Sequence, residues 1–189
     1  MFHNSTSSLP KSLIFLRHAR TPWNINGLTM GQSDISLSGI GKKEAEQAVR
    51  TLQEHPIDLI VSSPLSRCLM TISPFCRASD SEFIIDPKLA ERAWGIYEGV
   101  PKWQRGENST PKDGETDDDF RLRVTEALNA LPIERNILLV SHSGVFREVC
   151  NLGYIHHSLA HAKLPHATPV VLRRTSKVNF RRKPLSNTT

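Results

Sequence analysis

Cysteine is scarce: Cys68, Cys76 and Cys150 are the only three in 189 residues. They are odd in number, widely spaced and preceded by no secretory signal, so a disulfide framework is not expected and the thiols should be reduced. Glycine and proline, at 10 and 12 residues, are too few for a collagen-like or low-complexity chain. No apolar run approaches the roughly 20 residues that a membrane span needs. The opening Met1 to Pro10 lacks the basic and apolar blocks of a signal peptide. A folded protein without membrane contact, cytoplasmic in location, is expected.

Acid is missing from one end. The formal charge of +5 invites a nucleic-acid reading, but residues 173–189 carry six bases (Arg173, Arg174, Lys177, Arg181, Arg182 and Lys183) and no acid. The other 172 residues hold 18 bases against 19 acids. The body is therefore electrically balanced, the basic character belongs to a short tail, and nucleic acid is not the expected partner.

What the chain does have is pattern. Leu13 to Leu16, Asp58 to Val61 and Asn136 to Val140 are short apolar runs of the kind buried on both faces of a parallel sheet. Between the first two, Gly41, Ala45, Ala48, Val49 and Leu52 recur at helical spacing within 38–54. Phe120, Val124, Ala127, Leu128 and Leu131 do so again after Asp117, Asp118 and Asp119, acids that suit a helix N-terminus. Shorter helices are expected at 65–78, with Pro74 kinking or ending the first, and at 144–152; further strands are expected at 82–86 and 168–174. The alternation predicts an α/β three-layer sandwich, a mostly parallel central sheet with helices on both faces. Residues 1–11 read as a flexible leader, 12–175 as a single domain and 176–189 as a basic C-terminal tail. The stretch 99–116 reads as a mobile surface loop.

Ligands of such sheets bind beyond the carboxyl ends of the strands. The three apolar runs lead into Arg17-His18-Ala19-Arg20-Thr21, Ser62-Ser63-Pro64-Leu65-Ser66-Arg67 and Ser141-His142-Ser143-Gly144. Two histidines and two or three arginines would share one rim. Guanidinium forks suit phosphate oxygens, a neutral imidazole can attack phosphorus, and helix N-termini near Leu65 and Gly144 would add backbone donors. No metal or cofactor is required for that chemistry.

With those residues in view, the chain resembles the histidine phosphatase superfamily, of phosphoglycerate mutase-like fold, from about Leu13 to Val149. Leu16 to Asn24 stands where that family has Arg-His-Gly, a Thr or Ser, and Trp-Asn. Gly31 to Asp34, Leu37-Ser38 and Gly41 are similar to its downstream pattern. Ser62 to Arg67, Leu89 to Arg92 with Gly95 and Glu98-Gly99, and Val140 to Gly144 resemble three further blocks. The resemblance implies that His18 is the nucleophile, that Arg17, Arg67 and His142 bind phosphoryl oxygens, and that Glu91 donates the proton to the leaving group. Thr21, Asn24 and Ser143 would support the phosphate. The implied activity is hydrolysis of a small phosphorylated metabolite through phosphohistidine. A phosphoglycerate mutase-type transferase is the alternative, disfavoured by the short stretch from Gly99 to Asp117; an inactive phosphate- or polyanion-binding module is the second.

Ala19 replaces the family's usual Gly, and Arg20 stands where Glu or Gln is common, which predicts a more positive mouth and a doubly anionic or carboxylate-bearing substrate. Several residues have simpler readings. Glu91 and Arg92 could be solvated charges beside a turn, and Glu98 reads as structural. Gly39 to Glu44 reads as a helix cap rather than a nucleotide loop, because Ser36 and Glu44 occupy positions that such loops give to glycine. His156, His157, His161 and His166 lack carboxylate or cysteine companions and read as surface residues, one of which could line the substrate pocket. Trp23, Trp94 and Trp103 read as packing residues, with Trp103 able to cover a ligand.

Overall fold

The computed structural model describes residues 9–105, 110–155 and 164–175. In chain order the elements are β1 (Ser12–Arg17), α1 (Pro22–Ile25), α2 (Gly39–Leu52), β2 (Leu59–Ser62), α3 (Ser66–Cys76), β3 (Glu82–Ile85), α4 (Asp117–Asn129), β4 (Ile137–Ser141), α5 (Ser143–Asn151), β5 (Tyr154–Ile155) and β6 (Pro169–Arg174). Single 3-10 turns fall at Pro87–Leu89, Gly95–Tyr97 and Lys102–Gln104.

The three apolar runs become the centre of a six-stranded sheet ordered β3-β2-β4-β1-β6-β5. The four strands β3, β2, β4 and β1 run parallel, whereas β6 lies antiparallel to β1 and β5 antiparallel to β6. Because successive side chains leave a strand on opposite faces, each central strand feeds two cores. Leu13, Phe15, Leu59, Val61, Ile137 and Leu139 pack with Phe120, Val124 and Leu128 of α4 and Val145 and Val149 of α5. Ile14, Leu16, Ile60, Leu138 and Val140 pack on the other face with Ala45, Ala48 and Leu52 of α2 and Ile72 and Phe75 of α3. The α/β sandwich with helices on both faces of a mostly parallel sheet is thus present. The helices start as their sequences ask: Ser38 accepts from Gly41 N to cap α2, and Thr116 accepts from Asp119 N to cap the acidic opening of α4.

Register fixes the rim. Arg17 lies opposite Ser141, Ser62 lies opposite Val140, and His18 N donates to Ser141 O at 3.0 Å. The residues after β1, β2 and β4 therefore emerge side by side.

α3 ends at Cys76, two residues past Pro74 and short of the expected 78. Three expectations change. The stretch 99–116 is not wholly a free loop: Gly99 N donates to Thr29 O and Thr29 N to Val100 O, both at 2.8 Å, and Lys102 N donates to Gly27 O at 3.1 Å. The end of the leader is anchored, since Tyr154 donates its hydroxyl to Pro10 O at 2.6 Å and Leu9 packs on the core. Of the three tryptophans, Trp94 is 6% exposed and Trp103 82% exposed, so Trp103 is not a packing residue. Residues 1–8, 106–109, 156–163, with His156, His157 and His161, and the tail 176–189 lie outside the described residues.

Phe120 is fully buried between the sheet and α5. Phe120→Ala is expected to lower the unfolding free energy by about 3–5 kcal/mol, measured as a shifted urea midpoint with an unchanged slope.

Candidate active site

β1 delivers His18, which is 3% exposed. Its Nδ1 lies 2.8 Å from Ala19 O, and because a carbonyl only accepts, Nδ1 carries the proton and Nε2 keeps the lone pair. Burial, then the guanidiniums of Arg67 and Arg17, push the His18 pKa well below that of a free histidine, so the ring is neutral. β4 delivers His142, fully buried, with ring centroids 5.2 Å from those of His18. Arg67 Nε donates to His142 Nδ1 at 3.4 Å, which leaves the proton on Nε2, 2.8 Å from Ser63 Oγ. Burial, followed by Arg67 and His18, lowers the His142 pKa well below its usual value too.

Arg67 enters from the first turn of α3 and is fully buried. Its Nη1 donates to Ser33 O at 2.8 Å and its Nη2 to Gly31 O at 2.6 Å. The far side of that loop is held by Glu98, which accepts from Gln32 N, Ser33 N, Ser33 Oγ and Trp94 N. Gly31 sits at φ +54, and a Cβ there would collide with the Glu98 carboxylate, so glycine is required. The structural reading of Glu98 gains its reason: it fixes the carbonyls that aim Arg67. Arg17 donates from Nη1 to Leu164 O at 2.9 Å, while its buried Nε has no hydrogen-bond partner among the described residues.

Glu91 closes the group from the 3-10 turn side. Its Oε2 accepts from Gly144 N at 3.1 Å, at the N-terminus of α5, and its Oε1 accepts from Arg92 N at 3.0 Å. A Cβ on residue 144 would stand 2.0 Å from Glu91 Oε1, so only glycine lets the carboxylate approach the helix. Ser143, exposed, has its hydroxyl 3.5 Å from Glu91 Oε2. Both arginines feel Glu91 as a raising influence on their otherwise burial-lowered pKa values. His18, His142, Arg17, Arg67, Glu91 and Ser143 thus gather at one rim.

Thr21 and Asn24 meet each other first. Thr21 accepts from Asn24 N at 3.2 Å while Asn24 Oδ1 accepts from Thr21 N at 3.1 Å, a capping box that opens α1. Arg20 does not make the mouth more positive: its Nε and its backbone N both bind Glu44 of α2, which takes up the charge. Arg92 is no solvated charge either. It is 2% exposed, donates from Nε to Glu115 O and pairs through Nη1 with Asp117 at 2.6 Å. With Arg105 it flanks Trp94, at 4.4 and 3.6 Å from the ring centroid.

His166 is half-buried rather than exposed; its ring lies 5.4 Å from His18, and its Nδ1 lies 2.8 Å from His18 O. Composition had flagged it only as one of four late histidines. Ser63, Thr71 and Cys68 were not singled out by any sequence pattern, yet Cys68 Sγ lies 3.5 Å from His142 Nε2. Burial pushes that thiol up to about 12, so it stays protonated. Among the described residues no group of three or more His, Cys, Asp or Glu is placed to hold a metal ion. A cavity of about 500 Å³ between α2 and β6 lies beside this rim rather than in it, and of the gathered histidines only His166 lines it.

A buried, uncharged imidazole beside one buried and one half-buried guanidinium, at the carboxyl ends of parallel strands of an α/β sandwich, is an arrangement suited to an anion such as phosphate. The chain belongs to the histidine phosphatase superfamily (branch 1), whose family profile matches residues 13–179. It is 27% identical over 191 residues to a 2,3-bisphosphoglycerate-dependent phosphoglycerate mutase of Cytophaga hutchinsonii, covering 89% of this chain and 90% of that one. It is 35% identical over 88 residues to phosphoserine phosphatase 1 of Hydrogenobacter thermophilus, covering 47% of this chain and 42% of that one. A mycobacterial glucosyl-3-phosphoglycerate phosphatase solved with VO3 shares the fold, at TM-score 0.68 and 23% identity over 86% of this chain and 95% of that one.

The buried histidines tie stability to pH. His18 and His142 are held well below their free values and His166 at about 4, mainly by burial. The unfolded chain takes up these protons below about pH 6.5 and the folded one does not, so acid favours unfolding. Each histidine adds a slope of up to about 1.4 kcal/mol per pH unit. Urea melts at pH 7.5 and 5.5 should show markedly lower stability at 5.5; equal midpoints would contradict the neutral rings.

Proposed function

We propose that this chain is a phosphatase that hydrolyses small phosphate monoesters through a phosphohistidine on His18, without a metal ion. The observation that carries the reading is the state of His18: neutral, its Nδ1–H bound to Ala19 O, its Nε2 lone pair beside Arg17 and Arg67. Arg17 Nε is a buried donor without a hydrogen-bond partner among the described residues, and a phosphoryl oxygen is an acceptor that suits it.

The steps follow from the arrangement. Arg17, Arg67 and His142 hold the phosphoryl oxygens, the His142 Nε2–H turning from Ser63 Oγ to the incoming anion, with the Thr21–Asn24 turn and Ser143 in support. His18 Nε2 attacks phosphorus and the P–O bond to the alcohol breaks. The Glu91 carboxyl gives its proton to the departing oxygen, which would otherwise leave as an unstable alkoxide. The resulting carboxylate then takes a proton from water, the water oxygen attacks phosphorus, the P–N bond breaks, and inorganic phosphate leaves with His18 neutral again. Gly144 N steadies the Glu91 carboxylate between the two steps.

Return of the phosphoryl group to a second hydroxyl, the mutase outcome, is supported by the name of the Cytophaga relative. The short chain from Gly99 to the start of α4 at Asp117 is the feature that favours hydrolysis.

A screen of phosphorylated metabolites in the presence of chelator, followed by 31P NMR, tests this. Wild type should release phosphate and, after rapid acid-free quench, carry one phosphohistidine. His18→Ala should lose turnover entirely, and Glu91→Gln should lower it about 10²–10⁴-fold. Undiminished release by His18→Ala would remove the mechanism; conversion of phosphoglycerate isomers without net phosphate would favour the mutase.

A further inference from the structure

Hydrogen bonds converge on the peptide that joins His18 to Ala19. Its carbonyl accepts from His166 Nδ1 at 2.8 Å, and its N–H donates to Thr71 Oγ1 at 2.8 Å. Thr71 in turn donates its hydroxyl to Arg67 O at 2.6 Å, so its oxygen is oriented to accept. The next carbonyl along, that of Ala19, receives the Nδ1–H of His18. His166 is itself set by the chain around it: Ala167 N donates to Arg17 O and Leu164 O accepts from Arg17 Nη1, both at 2.9 Å. To make those contacts Ala167 sits at φ +47, a left-handed conformation that residues with a Cβ seldom adopt.

We infer that His166 and Thr71 are positioning residues that grip the two ends of the His18–Ala19 peptide and thereby hold His18 in the tautomer whose Nε2 is a free lone pair. A neutral imidazole has two tautomers of similar energy, and the acceptor facing Nδ1 decides between them. If the peptide rotates, Ala19 O leaves Nδ1, and the proton can settle on Nε2, where it blocks attack on phosphorus. His166 does this without adding charge. Burial first, then Arg17, lowers its pKa to about 4; its bond to His18 O and Glu44 oppose that shift, and Arg20 adds to it. Its other edge lines the cavity shared with Arg20, Glu44, Gln47 and Thr51.

The kinetic consequence rests on the proposed role of His18, whereas the tautomer is a property of the folded chain and is read separately. Protein labelled with 15N-histidine gives the His18 tautomer by long-range 1H–15N NMR at pH 7.5, alongside kcat, KM and vanadate affinity. Four variants are compared: His166→Leu and Thr71→Val remove the hydrogen bond, whereas His166→Asn and Thr71→Ser retain it. Wild type, His166→Asn and Thr71→Ser should show the Nδ1–H form alone. His166→Leu and Thr71→Val should mix the two forms and lose about 10- to 100-fold in kcat, with KM and vanadate affinity little changed. A single Nδ1–H form in a folded His166→Leu, or an Asn variant no better than Leu, would overturn the inference. Should the Leu and Val variants fail to fold by thermal melting, mixed tautomers in the Asn and Ser variants overturn it and the pure form upholds it. A wild type that releases no phosphate from any ester removes the phosphatase reading and leaves the spectra to decide the clamp.

Discussion

Keeping an imidazole uncharged in the company of guanidiniums is the constraint around which this site is arranged. A protonated His18 would be buried in the field of Arg67 and Arg17, so burial and like charge act in the same direction and both favour the neutral ring. The same burial costs the arginines solvation, and they recover it from the backbone: Arg67 from Gly31 O and Ser33 O, Arg17 from Leu164 O. Carbonyls neutralise nothing, so the positive potential survives for an incoming anion. Glu91 is the carboxylate whose field reaches both guanidiniums, and it is turned onto the N-terminus of α5. The charges at the rim are therefore separated: the guanidiniums are held by carbonyls, and the Glu91 carboxylate is held to one side by the helix N-terminus.

Much of this was legible in the sequence because buried parallel strands are continuous apolar runs and packed helices repeat at 3.6 residues. β1, β2, β4, α2 and α4 each fall within two residues of the pattern that announced them. The residues following those runs are the ones that gather at the rim, since strand register alone decides that much. Illegible were the elements made by backbone pairing without a side-chain signature, such as β5 and the return of Gly99 to Lys102 beside Gly27 to Thr29. Equally illegible was the direction a long side chain takes. Arg20 stands two residues from His18 in sequence, yet it turns to Glu44 because α2 packs against the end of β1 there, with Gly41 directly beneath the Arg20 carbonyl. Arg92 reads as a surface charge until α4 arrives with Asp117 to cover it.

The antiparallel strand explains why His18 can be held from two sides. In a wholly parallel sheet the chain after β1 would meet a neighbour running the same way on each flank. Here β4 supplies Ser141 O to His18 N, and β6, running the opposite way, begins at the rim. Its lead-in residues, Leu164 to Ala167, therefore lie against Arg17 and His18 at the point where β1 stops pairing. Sheet pairing, which tolerates little displacement, is carried one residue past the strand and onto the imidazole's own peptide. The Glu91 carboxylate is held apart from this clamp, by Gly144 N and Arg92 N, so it and His18 are anchored to different elements, α5 and β1. A change that disturbs one can leave the other in place, and that independence suits the proposed hydrolysis, in which one carboxyl serves first as acid and then as base.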